Sequence, residues 1–379
     1  MNRPRDIGLY VHVPFCRQRC HFCAFYLEVA KNERMQAFAQ ALRQEMNRYR
    51  DQDILRGRPL QTIYFGGGTP TALPVATLCA LLRHIRNTWP MTSTAEITVE
   101  AHPSTITQGV AQTLAEAGFN RISFGAESMN DGDFQPIGRP GCVQDTERAI
   151  GAARSAGFTN INLDLMYGLP GQSLRSWTAT LESLLALQPT HVSCYALTIE
   201  EGTPLARDIA RLRTPPVDDA MQIDMEGAAE TLLTHAGFVR YEISNYAKPG
   251  SASHHNMLYW TDQDYLGLGP SAQSYVDGVR FGNRADLTAY IELLETGSLP
   301  IEDRTLLSTS EQQRDAVVFG LRLTEGVAAS TVEQSLVTQA SQAALARLLG
   351  QGLLESTAGR LRLTPLGQRF ADSVAAELF

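Results

Sequence analysis

One alternation constrains the fold more than anything else in this chain, and it runs through the first two hundred residues. Short β-rich runs at 7–13, 62–65, 96–100, 121–124, 160–165 and 191–196 are separated by longer segments with helical spacing, at 34–49, 75–87, 107–117, 143–156 and 174–187. In the second of these segments Leu78, Leu81, Leu82 and Ile85 fall on one face. Gly118 and Gly157 stand where helices end. Alternating strands and helices predict an α/β fold with a parallel sheet. Six such units predict a barrel or partial barrel, although an open doubly wound sheet has the same local signature.

Regularity fades after about Gly202. The stretch 213–218 (RTPPVD) reads as a linker, 219–236 as a helix, and 241–260 (YEISNYAKPGSASHHNMLYW) as an aromatic and polar segment without a clear period. A second boundary falls near 299–300. Beyond it the chain reads as mainly helical, with a β-like pair around 352–363, in the pattern of a small winged-helix module. The expected division is therefore 1–212, 213–299 and 300–379.

Lys plus Arg total 32 against 40 Asp plus Glu, for a formal charge of −8, so the overall charge does not favour nucleic acid. No stretch approaches the roughly 20 apolar residues of a membrane span. The N-terminal segment MNRPRDIGLYVHVP lacks an apolar core followed by a cleavage site, which predicts a cytoplasmic protein. Six cysteines in 379 residues are too few for a disulfide scaffold.

Three of them, Cys16, Cys20 and Cys23, lie within eight residues directly after the first strand. Thiolates are soft ligands for zinc or iron–sulfur clusters. Structural zinc takes four protein ligands, so His12 or His21 would have to complete such a site. Three cysteines suit a cubane cluster with one iron left for an exogenous ligand. The ends of the other strands also carry polar or special residues: Gly66-Gly67-Gly68-Thr69-Pro70, Glu100, Gly125-Ala126-Glu127-Ser128, Asp164 and Tyr195. Sites of parallel α/β folds collect at such ends.

The pattern Tyr10-x-His12-x-Pro14-x-Cys16-x3-Cys20-x2-Cys23 resembles the radical S-adenosylmethionine (SAM) signature. More narrowly, the chain is similar to the branch that holds oxygen-independent coproporphyrinogen III oxidases and HemW-type haem chaperones. GGGTP at 66–70, ITVEAHP at 97–103, NRISFGAES at 120–128, NLDLMYGLP at 162–170, YEISNYAKPG at 241–250 and HNMLYW at 255–260 carry that resemblance in order. It implies a partial (β/α)6 barrel with an accessory region and a small C-terminal winged-helix-like domain. It also implies a [4Fe–4S] cluster on the three cysteines and SAM as the ligand of the open iron. Around SAM it places Tyr10, Phe22, Gly67, Gly68, Thr69, Glu100, Glu127, Arg139, Asp164 and Ala196.

The porphyrinogen oxidases carry a further cysteine two residues after the third, where this chain has Phe25, which disfavours that activity. The HNxxYW element resembles that of the haem chaperones. It makes His255 a candidate axial ligand for haem, with Tyr259 and Trp260 either stacking on the macrocycle or filling a core. Glu127, Gly141, Gln273 and Ala24 depart from the residues usual in relatives. The expectation is a haem chaperone with a haem-recipient protein and an electron donor as partners, no nucleic acid and no integral membrane segment, peripheral membrane contact remaining open. The alternative is a class C radical SAM methyltransferase acting on a small molecule.

Overall fold

The computed structural model describes residues 7–215 and 218–379. The start of the N-terminal segment (1–6) and residues 216–217 of the expected linker lie outside them. All six expected strands form, several longer than their apolar runs: β1 (Ile7–Val13), β2 (Leu60–Gly67), β3 (Met91–Ala101), β4 (Arg121–Glu127), β5 (Asn160–Tyr167) and β6 (His191–Ala196). They are parallel neighbours in chain order. Helices Asn32–Asp51, Val75–Thr88, Gln108–Ala117, Val143–Ser155 and Leu174–Ala186 return the chain between them, and Asp219–His235 follows β6 as a sixth. Helix Gln108–Ala117 shows how the local sequence sets the ends. The Thr107 hydroxyl accepts from the Val110 N–H at 3.3 Å, and Gly118 closes the helix at φ 99°, in the left-handed region that glycine enters without a Cβ clash.

Each strand separates two environments. On β1, Ile7, Leu9, Val11 and Val13 join the helices in the main core, while Gly8, Tyr10 and His12 alternate to the opposite face. Pairing register carries that inner face across the sheet in rows. Gly8, Thr62 and Glu96 form one row, and Tyr10, Tyr64, Thr98, Arg121 and Asn160 a second. Glu100, Ser123, Asn162 and His191 form a third. The face away from the helices is thus polar and aromatic, and it lines the lumen of an open barrel.

The segment after Gly202 is less irregular than its composition predicts, because it finishes the same sheet at both edges. On the β6 side, β7 (Val239–Arg240) and β8 (Asn245–Ala247) add antiparallel strands. On the β1 side, β9 (Asp264–Leu268) runs parallel to β1. It is followed by antiparallel β10 (Gln273–Val276), β11 (Val279–Asn283) and β12 (Ile301–Leu306). The result is one 12-stranded sheet in the order β12-β11-β10-β9-β1-β2-β3-β4-β5-β6-β8-β7. Between β8 and β9 the chain crosses from one edge to the other, and helix His254–Trp260 lies on that crossing. β12, expected in the C-terminal part, pairs with β11 in the large sheet.

The C-terminal region has its own apolar core, built on Val317, Leu321, Val327, Val332, Leu348, Leu361 and Leu378. The expected β pair forms as Leu354–Thr357 with Arg360–Leu363, and Val327–Ala328 adds a third short strand.

Candidate cluster and cofactor site

The three cysteines sit on a loop that leaves the C-terminal end of β1 and closes on itself. Phe15–Cys16 pairs with Glu28–Val29, and the Arg19 guanidinium donates to the Cys23 and Leu27 carbonyls at 3.3 and 3.2 Å. The loop is pinned from outside as well. The His21 N–H donates to the Ile137 carbonyl at 2.8 Å, and the Leu205 N–H to the His21 carbonyl at 3.0 Å. Phe22 packs with Ile137, Met166, Leu169, Leu197 and Leu205 in a small separate core. Its place in the structure is to anchor the loop. Phe25 is 69% exposed.

All three thiols are free and half-buried. Burial pushes the Cys16, Cys20 and Cys23 thiols up, Cys20 to about 11, while the neighbouring Arg139 draws Cys20 back toward the thiolate. Cys16 Sγ lies 3.4 Å from the Thr69 hydroxyl. Among the described residues no group of three or more His, Cys, Asp and Glu side chains converges on a single metal ion. His12 is committed elsewhere: its ring nitrogens lie 3.2 Å from the Tyr10 hydroxyl and 3.2 Å from the Tyr26 carbonyl. Three unpaired soft donors on one loop beside cationic Arg19 and Arg139 fit an anionic iron–sulfur cluster better than a four-ligand zinc site.

The glycines after β2 are needed by the chain itself. A Cβ on Gly67, where φ is 106°, would lie 2.6 Å from the His12 ring; one on Gly68 would lie 2.8 Å from the Phe15 carbonyl oxygen. The strand end therefore packs directly on the root of the cysteine loop. Gly67 N–H donates to Glu100 at 3.2 Å and the Tyr64 hydroxyl donates to its other oxygen at 2.7 Å.

Three carboxylates face the lumen from adjacent strands. Burial raises Glu100 and Glu127 to about 7 each, and it raises Asp164 as well. Asp164 accepts from the Ser123 hydroxyl at 3.2 Å and the Asn162 amide at 2.7 Å. Glu127 sits at a bulge between β4 and β5 with φ 63°, an uncommon conformation for a residue with a Cβ, and its carboxylate is 3.5 Å from Arg139. Arg139 also donates to the Gly125 carbonyl, which fixes it over β4. Ala196 ends β6, and Tyr195 beside it is 41% exposed. Glu100, Glu127, Arg139 and Asp164 thus gather at the lumen. Gln273 opens β10, two strands beyond β1, and is exposed.

At the opposite end of the lumen, helix His254–Trp260 crosses beneath β1, β2 and β3. Glu96 on β3 accepts from the His254 and His255 N–H groups at 3.0 and 3.1 Å, capping its first turn. Leu258 and the His255 ring fill the space that a side chain at Gly8 would need. His255 is 1% exposed, and both ring nitrogens have partners: Thr62 Oγ1 at 2.7 Å and the Tyr259 hydroxyl at 2.8 Å. Burial lowers it to about 3. Tyr259 packs edge-on against Tyr265 at 4.7 Å, and Trp260 carries the Arg322 guanidinium on its face at 4.8 Å. In this conformation the HNMLYW element is a floor.

A network that motif-based reading missed links the two ends. His191 lies 2.6 Å from the Asn162 side-chain oxygen and 2.8 Å from the Tyr241 hydroxyl; Asn162 also donates to Ser123 and Ser193. Its signal was present in the alternation of R-I-S, N-I-N-L-D and H-V-S, which puts every second polar residue on one face.

The profile of the Radical SAM superfamily matches residues 10–184, and that of the HemN C-terminal domain matches 307–370. The heme chaperone HemW of Bacillus subtilis is 33% identical over 372 residues, covering 96% of this chain and 97% of the relative. The chain belongs to the HemW family of radical SAM proteins. The heme chaperone HemW of Escherichia coli is 38% identical over 271 residues, or 71% of this chain and 70% of the relative. Among solved structures, coproporphyrinogen III oxidase HemN of Escherichia coli, a radical SAM enzyme, superposes with a TM-score of 0.87 at 25% identity over 99% of this chain and 90% of that one. Membership in this superfamily implies a [4Fe–4S] cluster and SAM. No helix among the described residues is long and apolar enough to cross a membrane.

Proposed function

We propose that this chain is a haem chaperone that binds a [4Fe–4S] cluster, SAM and haem, and passes haem to a recipient protein. The observation that carries this reading is the end-to-end match to the Bacillus subtilis heme chaperone, at 33% identity over 96% of the chain. Cys16, Cys20 and Cys23 are the cluster ligands in this proposal, with SAM on the fourth iron. A reduced cluster of this kind supplies an electron to the SAM sulfonium.

The chain's own residues bind and orient. Gly67, Gly68 and Thr69 bring backbone to the root of the cysteine loop. Tyr10, Glu100, Asp164 and Ala196 line the SAM site, while Phe22 holds the loop from behind. Arg139 compensates the charge of Glu127 beside the thiols. His255 serves first as a floor strut, because an axial bond from either ring nitrogen requires it to leave Thr62 or Tyr259. The neighbouring His254 is exposed.

The test is anaerobic reconstitution followed by haem titration, transfer to a haem-free acceptor, and product analysis with SAM and reductant. Haem binding that survives gel filtration, transfer to the acceptor, and no methylated product are expected. Replacing Cys16, Cys20 or Cys23 with Ala should remove the cluster's visible absorbance. A methylated product without haem binding would establish the methyltransferase alternative instead.

A further inference from the structure

The row of inner residues across the middle of the lumen contains a charge without a partner. Arg121, at the start of β4, is 2% exposed, and among the described residues its guanidinium makes no hydrogen bond or ion pair; its Nε is buried and unsatisfied. Beside it in register, Thr98 on β3 is fully buried, and its hydroxyl is likewise unsatisfied. A buried guanidinium with no hydrogen-bonded acceptor is unfavourable, and native structures satisfy nearly all such groups.

The nearest carboxylates do not supply the missing partner. Glu100 and Asp164 feel the field of Arg121, yet each accepts from other donors, Glu100 from Tyr64 and Gly67, Asp164 from Ser123 and Asn162. The raised affinity of both carboxyls for protons also limits the repulsion that they exert on an arriving anion. On the other side of Thr98 the row continues through Tyr64 and Tyr10, whose rings are 6.2 Å apart at 30°. Both tyrosines keep water-accessible surface, although desolvation by the surrounding walls dominates both hydroxyls. Solvent thus reaches this row at the two tyrosines, while Thr98 and Arg121 lie buried beyond them.

We propose that Arg121 and Thr98 form a carboxylate-binding site in the barrel lumen, next to the stacked Tyr10 and Tyr64. A guanidinium pairs with a carboxylate through two parallel N–H···O bonds, and the Thr98 hydroxyl supplies a third donor. The site lies two residues along β3 and β4 from Glu100 and Ser123; Arg121 and Thr98 are not among the residues assigned to SAM above, although Tyr10, which is, borders them. Two sources can bring such a group: a propionate of a porphyrin, which rests on the proposed haem reading, or the methionyl carboxylate of SAM.

The first probe is benzoate, a planar ring bearing one carboxylate, with benzamide as its uncharged control, in thermal-shift titrations of the full-length reconstituted protein. Benzoate should raise the melting temperature of the wild type and benzamide should not. Arg121→Met should weaken benzoate at least tenfold, with Arg121→Lys recovering part of the loss. Thr98→Val, close in shape, provides a second variant should Arg121→Met fold poorly, and should weaken benzoate about threefold. Benzoate binding within twofold of wild type in the folded variants, or equal response of the wild type to benzoate and benzamide, overturns the site.

A second set of titrations identifies the source. Haem binding at least tenfold more tightly than its dimethyl ester, an advantage lost in Arg121→Met, identifies a propionate. Competition with benzoate by SAM, and none by decarboxylated SAM, identifies the methionyl group. If the wild type binds no haem, the chaperone reading fails while the benzoate result still decides the site.

Discussion

Replacing His255 with Ala separates a strut from a haem ligand. The ring is 1% exposed and bridges the Thr62 and Tyr259 hydroxyls at 2.7 and 2.8 Å. Its loss leaves two polar groups without partners, at about 1 kcal/mol or more each, and opens a hole beside Leu258. A total loss of about 3 kcal/mol is expected at neutral pH. The pH dependence gives a sharper measure. Burial lowers His255 to about 3 in the folded chain, against 6.5 for an unperturbed histidine. Between those values the unfolded state binds more protons, so the contribution is full above 6.5 and is lost as pH falls. The loss amounts to roughly 1 kcal/mol by pH 5.5 and roughly 3 kcal/mol by pH 4.5. Urea unfolding of the cluster-free wild type and the Ala variant from pH 7.5 to 4.5, followed by far-UV circular dichroism, measures the difference. The gap between them should narrow on acidification by those amounts, other histidines cancelling. Parallel profiles, or an unchanged midpoint at pH 7.5, would refute the strut.

Two more changes test the frame around the site. Glu45 on helix Asn32–Asp51 is fully buried and accepts from the Tyr290 hydroxyl at 2.6 Å, the Gly269 N–H at 2.8 Å and the Asn283 amide at 2.6 Å. Burial raises it to about 7 from 4.5, so its contribution is full below 4.5 and is lost as pH rises through 7. Glu45→Gln should be less stable than wild type at pH 5, with the gap shrinking by about 3 kcal/mol by pH 8 in urea titrations; a constant gap would count against the shift. Gly67→Ala forces a Cβ into the His12 ring at a φ of 106°, and should cost about 2 kcal/mol or more in thermal unfolding and lower the iron bound per chain. Wild-type iron content together with an unchanged melt would rule out that packing argument.

The six-unit barrel was legible because its signal is local. Apolar β runs and helix-ending glycines such as Gly118 are written within a few residues of where they act. The cysteine loop was legible for the same reason, three thiols within eight positions having few other uses. What stayed hidden depends on distant pairing. β8 and β9 are too short to show a period, and only the partners β6 and β1 explain them. Glycines 67 and 68 read as part of the SAM site; that a Cβ there would also meet His12 and Phe15, more than 50 positions earlier in the chain, has no local signal. His255 read as a haem ligand because imidazole is a good one. Its engagement by Thr62 depends on a contact across 193 positions. Arg121 stands inside the NRISFGAES motif, yet an arginine at the start of a strand looks like any surface charge until its row is known.

The passage of one segment from β8 to β9, beneath the lumen, has a consequence for dissection. Cutting the polypeptide after residue 212 would strip both flanks of the parallel array at once, baring the hydrogen-bonding edges of β1 and β6, and would remove the plug from under Gly8 and Thr62. Such a fragment is poised to aggregate edge to edge. The catalytic-looking half and the piece that follows it are mechanically one body, so loss of cluster loading in a truncated chain would report collapse of the vessel and say nothing about what the missing part recognises.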